Sequence, residues 1–309
     1  MPTIFTIGET VYDIIFKNGQ PEAARAGGSM LNSAVSLGRC GLKVEMITEL
    51  GDDQVGKLVL DFLRNNGVST SFIKPAPGFK TPVSLAFLDG SGNASYSFYK
   101  HYPEDRLKID WPEPKRGDVV LFGSFYSLNQ AIRDRIVSFI KKAKHNGALI
   151  IYDPNIRKNH LAEIRRLMHL VEENIALADI VRGSDEDFEN LFGMTDSEKI
   201  YEQVKRAGCR NLIITRGQSG AELLSSNHCF KLPAREIQVV STIGAGDAFN
   251  AGIIFGIATK KITVDDLVDI SYESWKELIG FGIIFAADVC CGYDNYISKE
   301  INSLINGTK

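Results

Sequence analysis

Apolar residues along the chain fall into two rhythms. From Asp118 onward, short apolar runs alternate with longer stretches of helical periodicity. Val119-Val120-Leu121-Phe122 precedes a helical pattern at Ile132, Ile136 and Ile140, and Ala148-Leu149-Ile150-Ile151-Tyr152 precedes another over 160–173. Ala178-Asp179-Ile180-Val181 and Asn211-Leu212-Ile213-Ile214-Thr215 continue the theme. Strands that are apolar on both faces, separated by amphipathic helices, predict a mostly parallel sheet covered on both sides. The first third opens the same way, with a strand over 4–8, a helix over 29–40 and a strand over 44–48.

Two segments break that rhythm. Residues 11–26 follow a strand directly and are too irregular for a crossover helix. Residues 81–100 alternate (Val83, Leu85, Phe87, then Tyr96, Phe98) around Asp89-Gly90-Ser91-Gly92, which reads as a β-hairpin. Together they predict a small antiparallel flap standing off the main sheet. Residues 102–117, with Pro103, Pro112 and Pro114, read as a loop returning to it.

Composition narrows the class. At 309 residues and 44% apolar, the chain can bury a sizeable core, and no apolar run is long enough to span a bilayer. Lys+Arg 35 against Asp+Glu 38 leaves a net charge of −3, which offers no field for nucleic acid. No basic region precedes the first apolar residues, so the start does not read as a signal peptide. Five cysteines, an odd number, point to a reducing cytoplasm rather than a disulfide framework.

The richest chemistry lies in Ser241-Thr242-Ile243-Gly244-Ala245-Gly246-Asp247-Ala248-Phe249-Asn250-Ala251-Gly252, which follows an apolar, strand-like run and opens a helical stretch through Ile257. Small residues at 244–246 allow a tight turn of convergent N–H groups, and the helix behind adds the positive end of its dipole. An acid at 247 would repel an anion that is merely bound. It makes sense as a base that takes a proton from a hydroxyl attacking phosphorus. The plainer alternative is a first-turn acid favoured by the dipole alone.

That stretch resembles the signature of the ribokinase-like (PfkB) carbohydrate kinases, and five further stretches follow in the family's order. Gly8-Glu9-Thr10-Val11-Tyr12-Asp13 resembles its opening Gly-Glu/Asp-x-x-x-Asp, and Gly27-Gly28-Ser29-Met30-Leu31-Asn32 its sugar-binding Gly-Gly-x-x-x-Asn. Gly51-Asp52-Asp53-Gln54-Val55-Gly56 with Asn66-Gly67-Val68 matches a characteristic helix start and end. Asp153-Pro154-Asn155-Ile156-Arg157 is similar to the Asp-Pro-Asn-x-Arg of the fructokinase-like branch, and Thr215-Arg216-Gly217-Gln218-Ser219-Gly220 to the nucleotide-binding Thr-x-Gly-x-x-Gly.

The resemblance implies a Rossmann-like αβα sandwich, one ribokinase-like domain over 1–309, with a lid built by insertions at about 11–26 and 81–100. It implies ATP-dependent phosphorylation of a primary hydroxyl on a free monosaccharide, fructose first. Asp247 would be the base, and the amides of Gly244, Ala245 and Gly246 would hold the γ-phosphate. Asp13, Gly27, Gly28, Asn32, Asn155 and Arg157 would meet the sugar. Ser184, Thr215, Gly217, Gly220, Gly244 and Gly246 would meet ATP, with Mg²⁺ bridging its phosphates near Asp187. Lids in this family often pair, so the resemblance admits a homodimer through the lid and leaves the oligomeric state open.

Four positions depart from the family pattern. Ser241 stands where an Asp usually helps build a monovalent-cation site, so K⁺ is left open. Ser184-Asp185-Glu186-Asp187 replaces Asn-x-x-Glu, leaving Asp187 one methylene short, within reach of a metal through water. Ala287 replaces an Asn near the adenine, and Gly292-Tyr293-Asp294-Asn295 occupies the place of Lys-Gly-Ala. Kinases of 2-keto-3-deoxygluconate, ribose or a nucleoside are the alternatives, along with a sensor that binds without turnover. An oxidoreductase is disfavoured, since no G-x-G-x-x-G follows the first strand.

Smaller signals read as structure. Gly51 to Lys57 has P-loop spacing, but Leu58 replaces the hydroxyl and two aspartates would repel a triphosphate, which leaves an acid-capped helix start. The five histidines lack metal-ligand spacing. Cys290-Cys291 on an apolar stretch read as small buried hydrophobes, and the lysines at 141, 142 and 144 as a solvated helix end.

Overall fold

The computed structural model describes residues 1–88, 94–103 and 105–301. Seven parallel strands run in the order β11 (Asn211–Thr215), β10 (Ile180–Ser184), β9 (Leu149–Asp153), β8 (Val119–Gly123), β1 (Thr3–Ile7), β4 (Lys43–Ile47), β5 (Val68–Ser69). β12 (Ala221–Ser225) and β13 (Cys229–Leu232) extend the β11 edge antiparallel. The order reverses at β1, whose neighbours β4 and β8 lie on opposite sides. In open α/β sheets such a reversal leaves a crevice outside the strand C-termini, where ligands bind.

Helices cover both faces, as the doubly apolar strands require. α1 (Ser29–Arg39), α2 (Gln54–Asn65), α7 (Ala245–Lys260) and α8 (Tyr272–Cys290) pack on one side, in a core with Ile4, Val44, Leu121 and Ile213. α3 (Gln130–His145), α4 (Leu161–Leu177), α5 (Asp185–Phe192) and α6 (Ser197–Ala207) pack on the other, around Phe5, Val120, Ile150 and Ile214. Neighbouring residues of one strand thus serve opposite cores, because successive side chains point to opposite faces.

The two segments that broke the rhythm form a second sheet, in the order β3 (Gln20–Gly27), β2 (Val11–Lys17), β6 (Lys80–Leu88), β7 (Ala94–His101). Two pairings are antiparallel, as expected, but β2 and β6 run parallel. Each hairpin leaves the main sheet in the same direction, so joining their first strands makes that pair parallel. The turn between β6 and β7, Asp89 to Gly92, lies outside the described residues, with the Tyr96 side chain. Several contacts tie this sheet to the body, among them those of Thr81 on β6 with Asp53 and the Gly51 amide. Glu9 accepts from Lys100 Nζ at 2.7 Å and from the Tyr102 hydroxyl. Arg25 Nη1 donates to the Tyr293 carbonyl at 2.5 Å.

Three local readings change. The strand-like run expected before Ser241 is strand only as far as β13, which ends at Leu232; residues 233–240 form no strand, and Val239 and Val240 are exposed. The Val240 amide donates instead to the Cys290 carbonyl at 2.8 Å, at the end of α8. The helix read as running through Ile257 continues to Lys260. Cys291 is exposed and Cys290 only half-buried, because they end α8 where the helix leaves the core. The P-loop-like stretch is the acid-capped start of α2: Asp53 Oδ1 accepts from the Gly56 amide at 2.8 Å and from Thr81 Oγ1 at 2.9 Å.

Candidate active site

The site is assembled at the start of α7, beside the C-terminal ends of β9, β10 and β11. Gly244 caps the helix with φ 82°, a left-handed conformation that costs a glycine nothing. A Cβ there would also lie 2.3 Å from the Asn295 carbonyl oxygen, so the loop in place of Lys-Gly-Ala packs directly on the turn. The Ala245 amide donates to the Thr242 carbonyl at 3.2 Å. Of the three amides expected at the γ-phosphate, those of Gly244 and Gly246 have no partner among the described residues, whereas that of Ala245 closes the turn.

Asp247 sits one residue further on and is buried. Asn32 Nδ2, from α1, donates to its Oδ2 at 2.8 Å, and the Ser33 hydroxyl donates to its backbone carbonyl at 2.9 Å. No side chain among the described residues bonds Oδ1. Burial pushes its pKa up to about 7, aided by the charge of Asp153 and opposed by the Asn32 hydrogen bond, Arg182 and Arg157. A base poised near neutrality is matched to accepting a hydroxyl proton.

Of the sugar-side candidates, Asn32 bonds this carboxylate and Arg157 acts on it by charge; the others lie on β2, at the turn from β3 into α1 and after β9. Gly28 has φ 126°, and a Cβ there would lie 2.3 Å from the Glu9 carbonyl oxygen, so only glycine lets β3 turn into α1 here. A Cβ on Gly27 would lie 2.4 Å from Asp13 Oδ2, so its absence makes room for that carboxylate. Asp13 accepts from the Ser84 hydroxyl. Its pKa is raised by burial, against that hydrogen bond and the charges of Arg25 and Arg157. Arg157 is exposed, and its charge is felt at both Asp13 and Asp247, which places it between them electrostatically. Asn155 holds a turn: its φ is 42° and its amide donates to Asp153 Oδ1 at 3.1 Å.

On the nucleotide side, Thr215 ends β11, and Gly217 and Gly220 lie in the turn to β12, where the Arg216 amide donates to the Gly220 carbonyl at 2.8 Å. Ser184 caps α5 in a reciprocal capping box with Asp187. Asp187 Oδ2 accepts from the Ser184 amide at 2.7 Å and its hydroxyl at 2.6 Å, and Oδ1 accepts from the Ile156 amide at 2.7 Å. Both oxygens are therefore engaged by protein. Among the described residues no group of three His, Cys, Asp or Glu side chains could hold a metal.

Three participants were given no role in the sequence reading: Arg182, which lies outside every motif, and Asp153 and Asn250, which lie inside two of them. Arg182 on β10 is buried, with Nη1 2.9 Å from Asp153 Oδ2 and Nη2 2.6 Å from Thr215 Oγ1. Asp153 is fully buried, and Asn250 Nδ2 donates to its Oδ2 at 2.5 Å. An arginine inside the run Ile180-Val181-Arg182-Gly183 was the available signal, since a charge in a buried strand must be paired.

Comparison with known proteins gives the chain a family and a fold. Residues 1–291 match the pfkB family carbohydrate kinase domain. Aminoimidazole riboside kinase of Salmonella typhimurium is 25% identical over 260 residues, 84% of this chain and 82% of that protein. A fructokinase of Vibrio alginolyticus is 27% identical over 259 residues, 82% and 83% of the two chains. The crystal structure of the Salmonella enterica aminoimidazole riboside kinase with aminoimidazole riboside and an ATP analogue superposes with a TM-score of 0.85 at 21% identity, covering 99% of each chain. Fructokinase from Xylella fastidiosa with bound ATP superposes at 0.82, with 23% identity over 99% and 98% of the chains. The buried acid behind the glycine turn, held by Asn32 from α1, thus lies within a matched family domain: the chain belongs to the pfkB family of carbohydrate kinases.

Proposed function

We propose that the protein transfers the γ-phosphoryl group of ATP to a primary hydroxyl of a free monosaccharide, with fructose the leading substrate. The carrying observation is the buried Asp247 carboxylate, with a pKa near 7, beside the free amides of Gly244 and Gly246. The hydroxyl oxygen bonds to the γ-phosphorus while the bond to the β-phosphate oxygen breaks, and ADP leaves with that electron pair. Asp247 takes the hydroxyl proton. The two amides face charge growing on the transferred group, where one such donor is worth about 10²–10³ in rate. Asp13 and Arg157 orient the sugar, and the small sheet excludes water, which would otherwise compete as acceptor.

Mg²⁺ in this reading rides on the nucleotide phosphates, the usual arrangement for this ion. Asp187 reaches it at most through water, and no step is assigned to it. Exposed Phe87 and Tyr99 on the small sheet suit a homodimer through the lid. The likeness to aminoimidazole riboside kinase sets a ribonucleoside beside fructose as the second substrate to try. The test is ADP release from Mg²⁺-ATP across a panel of sugars and nucleosides, with and without K⁺. Turnover with a free sugar, abolished in Asp247→Asn, supports the proposal. No turnover with any acceptor, despite tight ATP binding, would leave a binding protein instead.

A further inference from the structure

Arg182 is a buried charged group that the mechanism above does not use. Burying an ion pair costs more in desolvation than it reliably returns, so such a pair adds little to stability by itself. Where this one lies is more informative. The guanidinium is pinned at two points, on Asp153 Oδ2 at 2.9 Å and Thr215 Oγ1 at 2.6 Å, and stands 5.4 Å from the Phe249 ring. Its Nε is buried with no partner. A Cβ built on Gly246 would lie 2.8 Å from Nη1 and 3.0 Å from Nη2, so the backbone of Gly246 rests on the guanidinium itself.

We propose that Arg182 is a positioning residue for phosphoryl transfer, fixing the Gly246 amide and presenting a permanent positive charge beneath the turn that receives the γ-phosphate. The inference rests on the kinase reading of the same site. The ion pair is polarised across the turn. Its guanidinium end touches Gly246, whereas at Asp247 the negative charge of Asp153 outweighs Arg182. One buried pair thus favours an anion at the amides and a proton on the base. Lysine in place of Arg182 would keep the charge but could not bridge Asp153 and Thr215 with a fork.

The experiment compares wild type with R182M, R182K, G246A and the double variant R182M/G246A. Two readouts are taken: kcat and KM with fructose and Mg²⁺-ATP, and calorimetric affinities for ATP and for ADP. R182M is expected to lower kcat about 10²–10³-fold, as for loss of one anion-stabilising group, with the fructose KM unchanged. It should weaken ATP by about tenfold more than ADP, because only ATP carries the phosphate that reaches the turn. R182K should recover most of the ATP preference, and G246A should cost less in the R182M background than alone. A folded R182M whose ATP and ADP affinities change equally, with kcat within about threefold of wild type, overturns the proposal. Should R182M fail to fold, G246A decides: full turnover with unchanged ATP affinity overturns the proposal, and a selective loss of ATP supports it. Should wild type turn over no acceptor, the kinase reading fails, while the ATP-to-ADP comparison still decides the role of Arg182.

Discussion

Asn32 Nδ2 donates to Asp247 Oδ2 at 2.8 Å, joining two motifs that stand 215 residues apart. The bond favours the ionised carboxylate, while burial favours the protonated one, and burial wins, to a pKa of about 7. Asn32→Ala removes the opposing influence, so the proton is held more tightly. The base is active only when ionised, so the acid limb of the kcat–pH profile should move to higher pH, by about one unit. A profile that keeps its limb while only KM for sugar rises would assign Asn32 to sugar alone.

Asp247→Asn keeps the shape and loses the base. Turnover should fall about 10²–10⁴-fold, read as ADP release, with the thermal midpoint close to wild type. The wild-type acid limb should lie near pH 7. Turnover comparable to wild type in this variant would remove Asp247 from the mechanism.

Asp187→Ala separates a cap from a metal ligand. The carboxylate accepts from the Ser184 amide and hydroxyl and from the Ile156 amide. Removing it leaves two amides without an acceptor, at about 1–3 kcal/mol each where they stay buried. Thermal unfolding should report a drop of several degrees, and the Mg²⁺ concentration for half-maximal activity should stay within about twofold. A large rise in that concentration with stability intact would make Asp187 a metal ligand after all.

Asp53→Ala tests the P-loop-like stretch. Losing an N-cap costs about 1 kcal/mol, and kcat and the ATP KM should not change. Partial burial pushes this carboxyl up, but hydrogen bonds from the Gly56 amide and the Thr81 amide and hydroxyl, with Lys80 nearby, outweigh it and hold the pKa below its ordinary value. A lowered pKa means that the stabilisation is present above the ordinary carboxylate range and is lost as pH falls through the folded value. The stability gap between wild type and variant should therefore narrow in acid. A raised ATP KM would give the stretch a nucleotide role.

Much of the architecture was legible in the chain. Apolar runs at 119–122, 148–152 and 211–215 each coincide with a strand of the main sheet to within a residue at either end, and the alternation over 81–100 is where β6 and β7 pair. Such patterns follow from neighbours a few residues away. The glycine turn before Asp247 was legible for the same reason, since a tight turn and a helix start are local. The reading failed where the outcome depended on a distant partner. Residues 233–240 carry Ile237, Val239 and Val240 yet form no strand, the Val240 amide bonding the end of α8 instead, and Cys290 and Cys291 share the composition of α8 but lie past its buried length.

By itself, the sequence determined the alternation of strands and helices, the second sheet's segments and the glycine turn that precedes Asp247. Only the tertiary structure decided what surrounds that acid: Asn32 from α1, Asp153 and Asn250 beneath it, and Arg182 against Gly246. It also decided that Ala245 closes the turn with its amide and that Asp187 is held by backbone rather than left open. The physical reason is the sheet order, which reverses at β1 and brings strand ends from distant parts of the chain to one edge. Local periodicity says which face of an element is buried. Which charges meet there depends on chain crossings that no short window contains.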